Sequence, residues 1–137
     1  TIGDYAFHNC SSLTSITIPD SVTTIGNYAF RYCDSLTSVT IGNSVTTIGD
    51  YAFEYCDRLT SITIGDSVTE IGEYAFNDCS SLESVCVGNG ITMVGQAAFN
   101  QCPLLTRLDI TSLEVWCSID FATASASPDI TTCPGQL

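Results

Sequence analysis

Five columns of apolar residues run down this chain at intervals of 23 residues, with polar stretches of constant length between them. Leucine fills the first column at Leu13, Leu36, Leu59, Leu82 and Leu105. The second runs Ile16, Val39, Ile62, Val85, Leu108, and the third follows two residues later at Ile18, Ile41, Ile64, Val87, Ile110. A spacing of two is the period of a half-buried strand. The fourth column holds Val22, Val45, Val68 and Ile91, and the fifth holds Ile25, Ile48, Ile71 and Val94. All five are expected to face inward. A fixed period of this length means stacked copies of one small unit that bury each other's apolar faces, so the pattern predicts a solenoid.

The fifth column opens a signature phrase: IGDYAFHNC at Ile2, IGNYAFRYC at Ile25, IGDYAFEYC at Ile48, IGEYAFNDC at Ile71 and VGQAAFNQC at Val94. Its invariant glycines, Gly3 to Gly95, suit either a positive φ or a close backbone approach. The alanines that precede Phe7, Phe30, Phe53, Phe76 and Phe99 suit a place where successive coils leave no room for a larger side chain, and the phenylalanines are expected to stack into a spine. Each coil then reads as a short strand (Ser38 to Ile41 in the second), a polar turn, an apolar segment around Val45 and Ile48, and a brief helical or 3₁₀ piece around Tyr51 to Cys56. The expected fold class is an α/β repeat solenoid of the leucine-rich-repeat type, with parallel strands on one face and short helices or 3₁₀ turns on the other. Five such repeats span 1–111, and 112–137 is expected to form an irregular tail or cap.

The phrase IGxxAFxxCxxLTSITIP, unbroken from Ile2 to Pro19, resembles the BspA-like leucine-rich repeats of bacterial and protozoan surface and secreted proteins. The stretch SLEVWCSIDF at Ser112 to Phe121, with Ser127-Pro128, resembles a segment that often interrupts or follows such repeats, although relatives usually carry Asn before that proline. The resemblance implies an extracellular or cell-surface module for protein recognition or adhesion.

Composition narrows the choice of partner. Fifteen acidic residues face only Arg31, Arg58 and Arg107, with no lysine, for a net charge of −12. Such a chain repels nucleic acid and anionic membranes. It suits a basic protein surface, or divalent cations bridging neighbouring molecules. No run of 18 or more apolar residues predicts a membrane span. Asp20, Asp34, Asp57 and Asp66 fall in predicted turns without any calcium-loop pattern, and no metal ligands or cofactor are predicted.

Of eight cysteines, Cys10, Cys33, Cys56, Cys79 and Cys102 share one column and predict an inward ladder of thiols, with disulfides between adjacent coils or metal binding as alternatives. Cys86 stands where other coils have Thr17, Thr40, Thr63 and Asp109, and is expected on the exposed strand face. Cys117 and Cys133 flank the tail, and a disulfide between them would tie it down in an oxidising compartment. With His8 as the single histidine, and with no nucleophile elbow or phosphate loop, neither catalytic residues nor an enzyme are expected.

Candidate binding residues alternate with the buried ones along the strands: Ser15, Thr17, Ser38, Thr40, Ser61, Thr63, Ser84, Cys86, Arg107 and Asp109. Hydroxyl rows of this kind bind a partner's backbone or a glycan, or serve only as soluble strand formers. Tyr5, Tyr28, Tyr51 and Tyr74 predict a surface aromatic ladder, and Tyr32 with Tyr55 a shorter neighbouring row; each is either structural or a contact strip for protein or glycan. The chain opens at Thr1 within a repeat and without Met, as expected of a processed chain or a fragment of a longer array. Two roles follow: a recognition module for surface or matrix proteins, or a structural subunit that joins head to tail into an extracellular filament, a homopolymer held by heterologous contacts.

Overall fold

The computed structural model describes residues 1–110 and 120–121. Each coil contributes two strands. The longer ones are β1 (Ser15–Thr17), β3 (Ser38–Thr40), β5 (Ser61–Ile64), β7 (Ser84–Val87) and β9 (Arg107–Ile110); the shorter are β2 (Thr24–Ile25), β4 (Thr47–Ile48), β6 (Glu70–Ile71), β8 (Met93–Val94) and β10 (Asp120–Phe121). All pairings are parallel. The long strands form the sheets β1-β3 and β5-β7-β9, with β3 lying beside β5, while the short strands form one sheet in the order β10-β8-β6-β4-β2. Register follows the repeat, so that Ser15 meets Ser38, Val85 meets Leu108 and Ile48 meets Ile71. The segment expected to be a tail or cap contributes β10, whose Phe121 pairs with Val94, so that this coil is longer than the others.

The expected helix or 3₁₀ piece is not there. Among the described residues the chain has no helix, and the stretch from Tyr51 to Cys56 is a run of turns; the fold is a β-solenoid. Two residues of each signature sit in the left-handed region, Tyr28 (φ 57°) and Tyr32 (φ 60°) in the second coil, Tyr51 (φ 56°) and Tyr55 (φ 58°) in the third. A right-handed helix cannot continue through such reversals. Backbone bonds instead alternate in direction. Ala29, Arg31 and Cys33 donate within their own turn to Gly26, Tyr28 and Phe30, whereas Tyr28, Phe30 and Tyr32 donate to Asp50, Ala52 and Glu54 of the next coil. The turns thus form a third ladder between coils.

The glycine column is explained by approach and not by φ, since none of the glycines among the described residues has a positive φ. A Cβ on Gly49 would lie 2.6 Å from Asn27 Oδ1 and 2.8 Å from the Asn27 backbone nitrogen. Asp4, Asn27 and Asp50 each accept, through Oδ1, the backbone N–H of the same column one coil on, at 2.8 Å. The core holds the predicted columns. Phe30, Phe53, Leu36, Leu59, Ile25 and Ile48 are fully buried, and the phenylalanines stack from Phe7 to Phe99 with centroids 5.0–5.3 Å apart.

Candidate functional site

Two faces carry the side chains that the repeat does not consume. On the long-strand face, pleating turns every second residue outward. Ser15, Thr17, Ser38, Thr40, Ser61, Thr63 and Arg107 are exposed, while Ser84, Cys86 and Asp109 are partly so. In-register pairing sets them in two rows along the solenoid, at the parallel-strand spacing of about 4.8 Å. The rows change character at the fifth coil. Arg107 Nε lies 2.9 Å from Asp109 Oδ2 and 3.0 Å from Oδ1, so the two charges on β9 satisfy each other, and the carboxylate raises the arginine's pKa.

Tyrosine organises the turn face. Tyr5, Tyr28, Tyr51 and Tyr74 stack with centroids 4.7–5.1 Å apart and planes within 6° of parallel. Tyr32 and Tyr55 form the second, shorter stack at 4.8 Å. Stacking covers ring faces and leaves edges and hydroxyls outward, so the inner rings offer no flat platform to a ligand. Between the two stacks runs a column of polar residues: His8, Arg31, Glu54, Asn77 and Asn100. Arg31 donates from Nε to Glu54, and its guanidinium carbon is 4.6 Å from the Tyr32 centroid and 5.5–5.8 Å from those of Tyr28, Tyr51 and Tyr55. Asn77 Nδ2 bonds Glu54 Oε1 and Asp78 Oδ2 at 2.9 Å each, and Asn100 Nδ2 bonds Asn77 Oδ1 at 2.9 Å. Glu54 and Asn77 are buried, while His8 stands edge-on to Tyr5 and Tyr32 with a buried Nδ1 that has no hydrogen-bond partner. Sequence reading found the tyrosine columns and missed this trough. The available signal was a column whose residues change from coil to coil while both neighbouring columns repeat an aromatic ring.

The cysteine column is a ladder of free thiols facing inward. Cys33, Cys56, Cys79 and Cys102 each place Sγ 3.1–3.3 Å from the carbonyl of Phe7, Phe30, Phe53 and Phe76, the phenylalanines of the preceding coil. Burial pushes Cys33 and Cys102 up to about 11 and also raises Cys56 and Cys79, so none supplies a thiolate near neutral pH. Cys117 and Cys133 lie outside the described residues. Among the described residues, no group of three or more His, Cys, Asp or Glu is placed to hold a metal ion, and no helix is long and apolar enough to cross a membrane.

The family model for the BspA type leucine rich repeat region matches residues 1–123 in six copies. Among solved structures, the chain is similar to a leucine rich cell surface protein from Faecalibacterium prausnitzii, with 31% identity and a TM-score of 0.84 over 90% of this chain and 32% of that one. A leucine-rich repeat protein from Eubacterium ventriosum matches at 29% identity and a TM-score of 0.55, over 71% of this chain and 32% of the other. The leucine rich repeat protein of T. pallidum shares the fold, with a TM-score of 0.55 at 23% identity over 93% of this chain and 71% of that one. The chain therefore spans about a third of the length of the first and second of these. Among curated proteins no significant match was found.

Proposed function

The chain belongs to the BspA-type leucine-rich repeat family, and from that premise we propose that it is a non-catalytic recognition module which binds another protein at a cell surface or outside the cell. The observation that carries this reading is the long-strand face. Its hydroxyl rows are solvent-facing, held in register by backbone pairing, and free of charge until Arg107 and Asp109. A pre-ordered sheet of short side chains loses little conformational entropy on docking and offers donors and acceptors at a fixed repeat. The name of the Faecalibacterium relative supports the surface location. The chemistry of the cysteines and His8 supports a non-catalytic role, because raised thiols and a histidine held between tyrosine rings lack the base–nucleophile pairing that covalent catalysis needs.

The test is a binding screen of the immobilised chain against purified matrix and cell-surface proteins, repeated with Thr40→Arg/Thr63→Arg. The expected result is at least one saturable partner whose binding that double variant removes. A screen with no partner, or a partner indifferent to the variant, contradicts the assignment. Oligosaccharide binding on the same face, or filaments of the chain alone, would replace it with a different role.

A further inference from the structure

All six tyrosines of the chain lie in the two stacks, Tyr5 exposed and the others half-buried. Each takes the same left-handed backbone conformation, with φ between 54° and 60°. Neighbouring rings are therefore related by little more than the translation from one coil to the next. Their planes lie within 7° of parallel and their centroids 4.7–5.1 Å apart. In such a pair each ring atom faces its own equivalent, so the carbon ortho to one hydroxyl lies over the carbon ortho to the next at about the centroid distance.

Phenols arranged in this way have a reaction open to them that isolated ones lack. Loss of an electron and the phenolic proton turns tyrosine into a phenoxyl radical with spin on its ortho carbons, and two such carbons couple to a carbon–carbon bond. Holding the partners side by side makes that coupling effectively unimolecular. The surroundings favour it. The carboxylates of Glu54 and Glu73 act on Tyr51, and that of Asp78 lies beside the Tyr55 hydroxyl, positioned to take its proton. Arg31, whose guanidinium lies among the rings, is neutralised by Glu54. The thiols of Cys33, Cys56 and Cys79 are buried and held protonated, and Cys86 lies on the long-strand face, so these reductants stand away from the stacks.

We propose that the tyrosine stacks are a modification site, at which a one-electron oxidant such as a haem peroxidase charged with hydrogen peroxide joins neighbouring coils through dityrosine. Each of two stacked tyrosines gives one electron and its phenolic proton to the oxidant. The radicals form one bond between ortho carbons, and the hydrogen on each of those carbons moves to its oxygen, restoring both phenols. One peroxide is reduced to two waters, and the chain becomes lighter by two hydrogens. The bond links residues 23 apart. A cross-link closing such a loop restricts the unfolded chain as a disulfide does, so oxidation hardens the solenoid. This site lies on a different face from the recognition surface and does not depend on it.

The test treats the purified chain with a haem peroxidase and limiting hydrogen peroxide, beside a Tyr28→Phe/Tyr32→Phe/Tyr74→Phe variant. Phenylalanine keeps a ring at every place in the stacks, while Tyr5, Tyr51 and Tyr55 are left with no phenol next to them in either stack. Circular dichroism and thermal melts check that the variant folds. The parent is expected to gain dityrosine fluorescence as a monomer two hydrogens lighter, in a yield unchanged on dilution, and to melt higher than the untreated chain. Proteolysis and mass spectrometry are expected to place the bond between tyrosines 23 residues apart. The variant is expected to lose the intrachain bond. Dityrosine confined to dimers, a yield that falls on dilution, an equal yield in the variant, oxidation without dityrosine, or a cross-linked monomer that melts no higher would overturn the proposal. None of these outcomes bears on the partner screen, and a failed screen leaves this proposal standing.

Discussion

Gly3 and Gly49 occupy one column of the repeat and meet different surroundings. Nothing lies within 4 Å of a Cβ built on Gly3, whereas on Gly49 it would press into Asn27 and the Gly26 backbone at 2.6–2.8 Å. Gly49→Ala is expected to cost about 1–3 kcal/mol by overpacking, and Gly3→Ala less than about 0.5 kcal/mol. Equal effects in chemical denaturation would show that the column is kept for backbone freedom. Phe53→Ala, fully buried between two other rings of the spine, should cost about 3–5 kcal/mol. The thiols give a pH dependence. Cys33 and Cys102 titrate near 11 when folded and near about 8.5 when unfolded, so the unfolded chain gives up these protons first. Their contribution to stability is complete below the unfolded value and is lost as pH rises toward 11. Denaturation midpoints should fall between about pH 8 and 10.5, and fall less in a Cys33→Ala/Cys102→Ala variant. A variant as pH-sensitive as the parent would count against the thiols as the cause.

At the scale of the coil, three ladders divide the work between them: long strands, short strands and turns. The apolar columns made the first legible, because alternation at a spacing of two has one reading when repeated five times in register. The Val45–Ile48 segment was legible as buried but not as a strand, since two paired residues are too few to show a period. The turn ladder was misread as helix for a physical reason. Left-handed residues are usually glycine or asparagine, and here tyrosines hold that conformation while glycines do not. A tyrosine in this region costs about 1–2 kcal/mol, and each ring pair returns about 0.5–1.5 kcal/mol, a balance that only contact between coils reveals. The trough was illegible for the same reason. Arg31 and Glu54 are distant in sequence and adjacent in space only because the coils stack in register. The pair makes a prediction. Glu54 is almost wholly buried, so Arg31→Ala leaves its charge unpaired and should cost about 2 kcal/mol, reduced from the fully buried case because Arg31 is partly exposed. Adding Glu54→Gln should restore about half of that, measured as a double-mutant cycle. Additive losses would mean that the pair contributes little.

Across the whole molecule, regularity and specificity separate. The phenylalanine spine, the thiol ladder and the carboxylate-to-amide bonds repeat in nearly every coil and account for the fold. What differs between coils is the polar trough column, with its buried Glu54 and Asn77, and on the long-strand face the Arg107–Asp109 pair and Cys86. Nearest-neighbour stacking makes the fold tolerant of such local changes, since each coil touches only the coils beside it. This leaves the long-strand face able to vary its outward residues while its backbone stays fixed. The most direct test of that division is the affinity of a screened partner for two double variants of equal charge. Thr40→Arg/Thr63→Arg alters the long-strand face, and Thr24→Arg/Thr47→Arg the short-strand face. Only the first is expected to abolish binding while both melt as the parent does; loss confined to the second, or equal loss in both, would rule out the long-strand face as the binding surface.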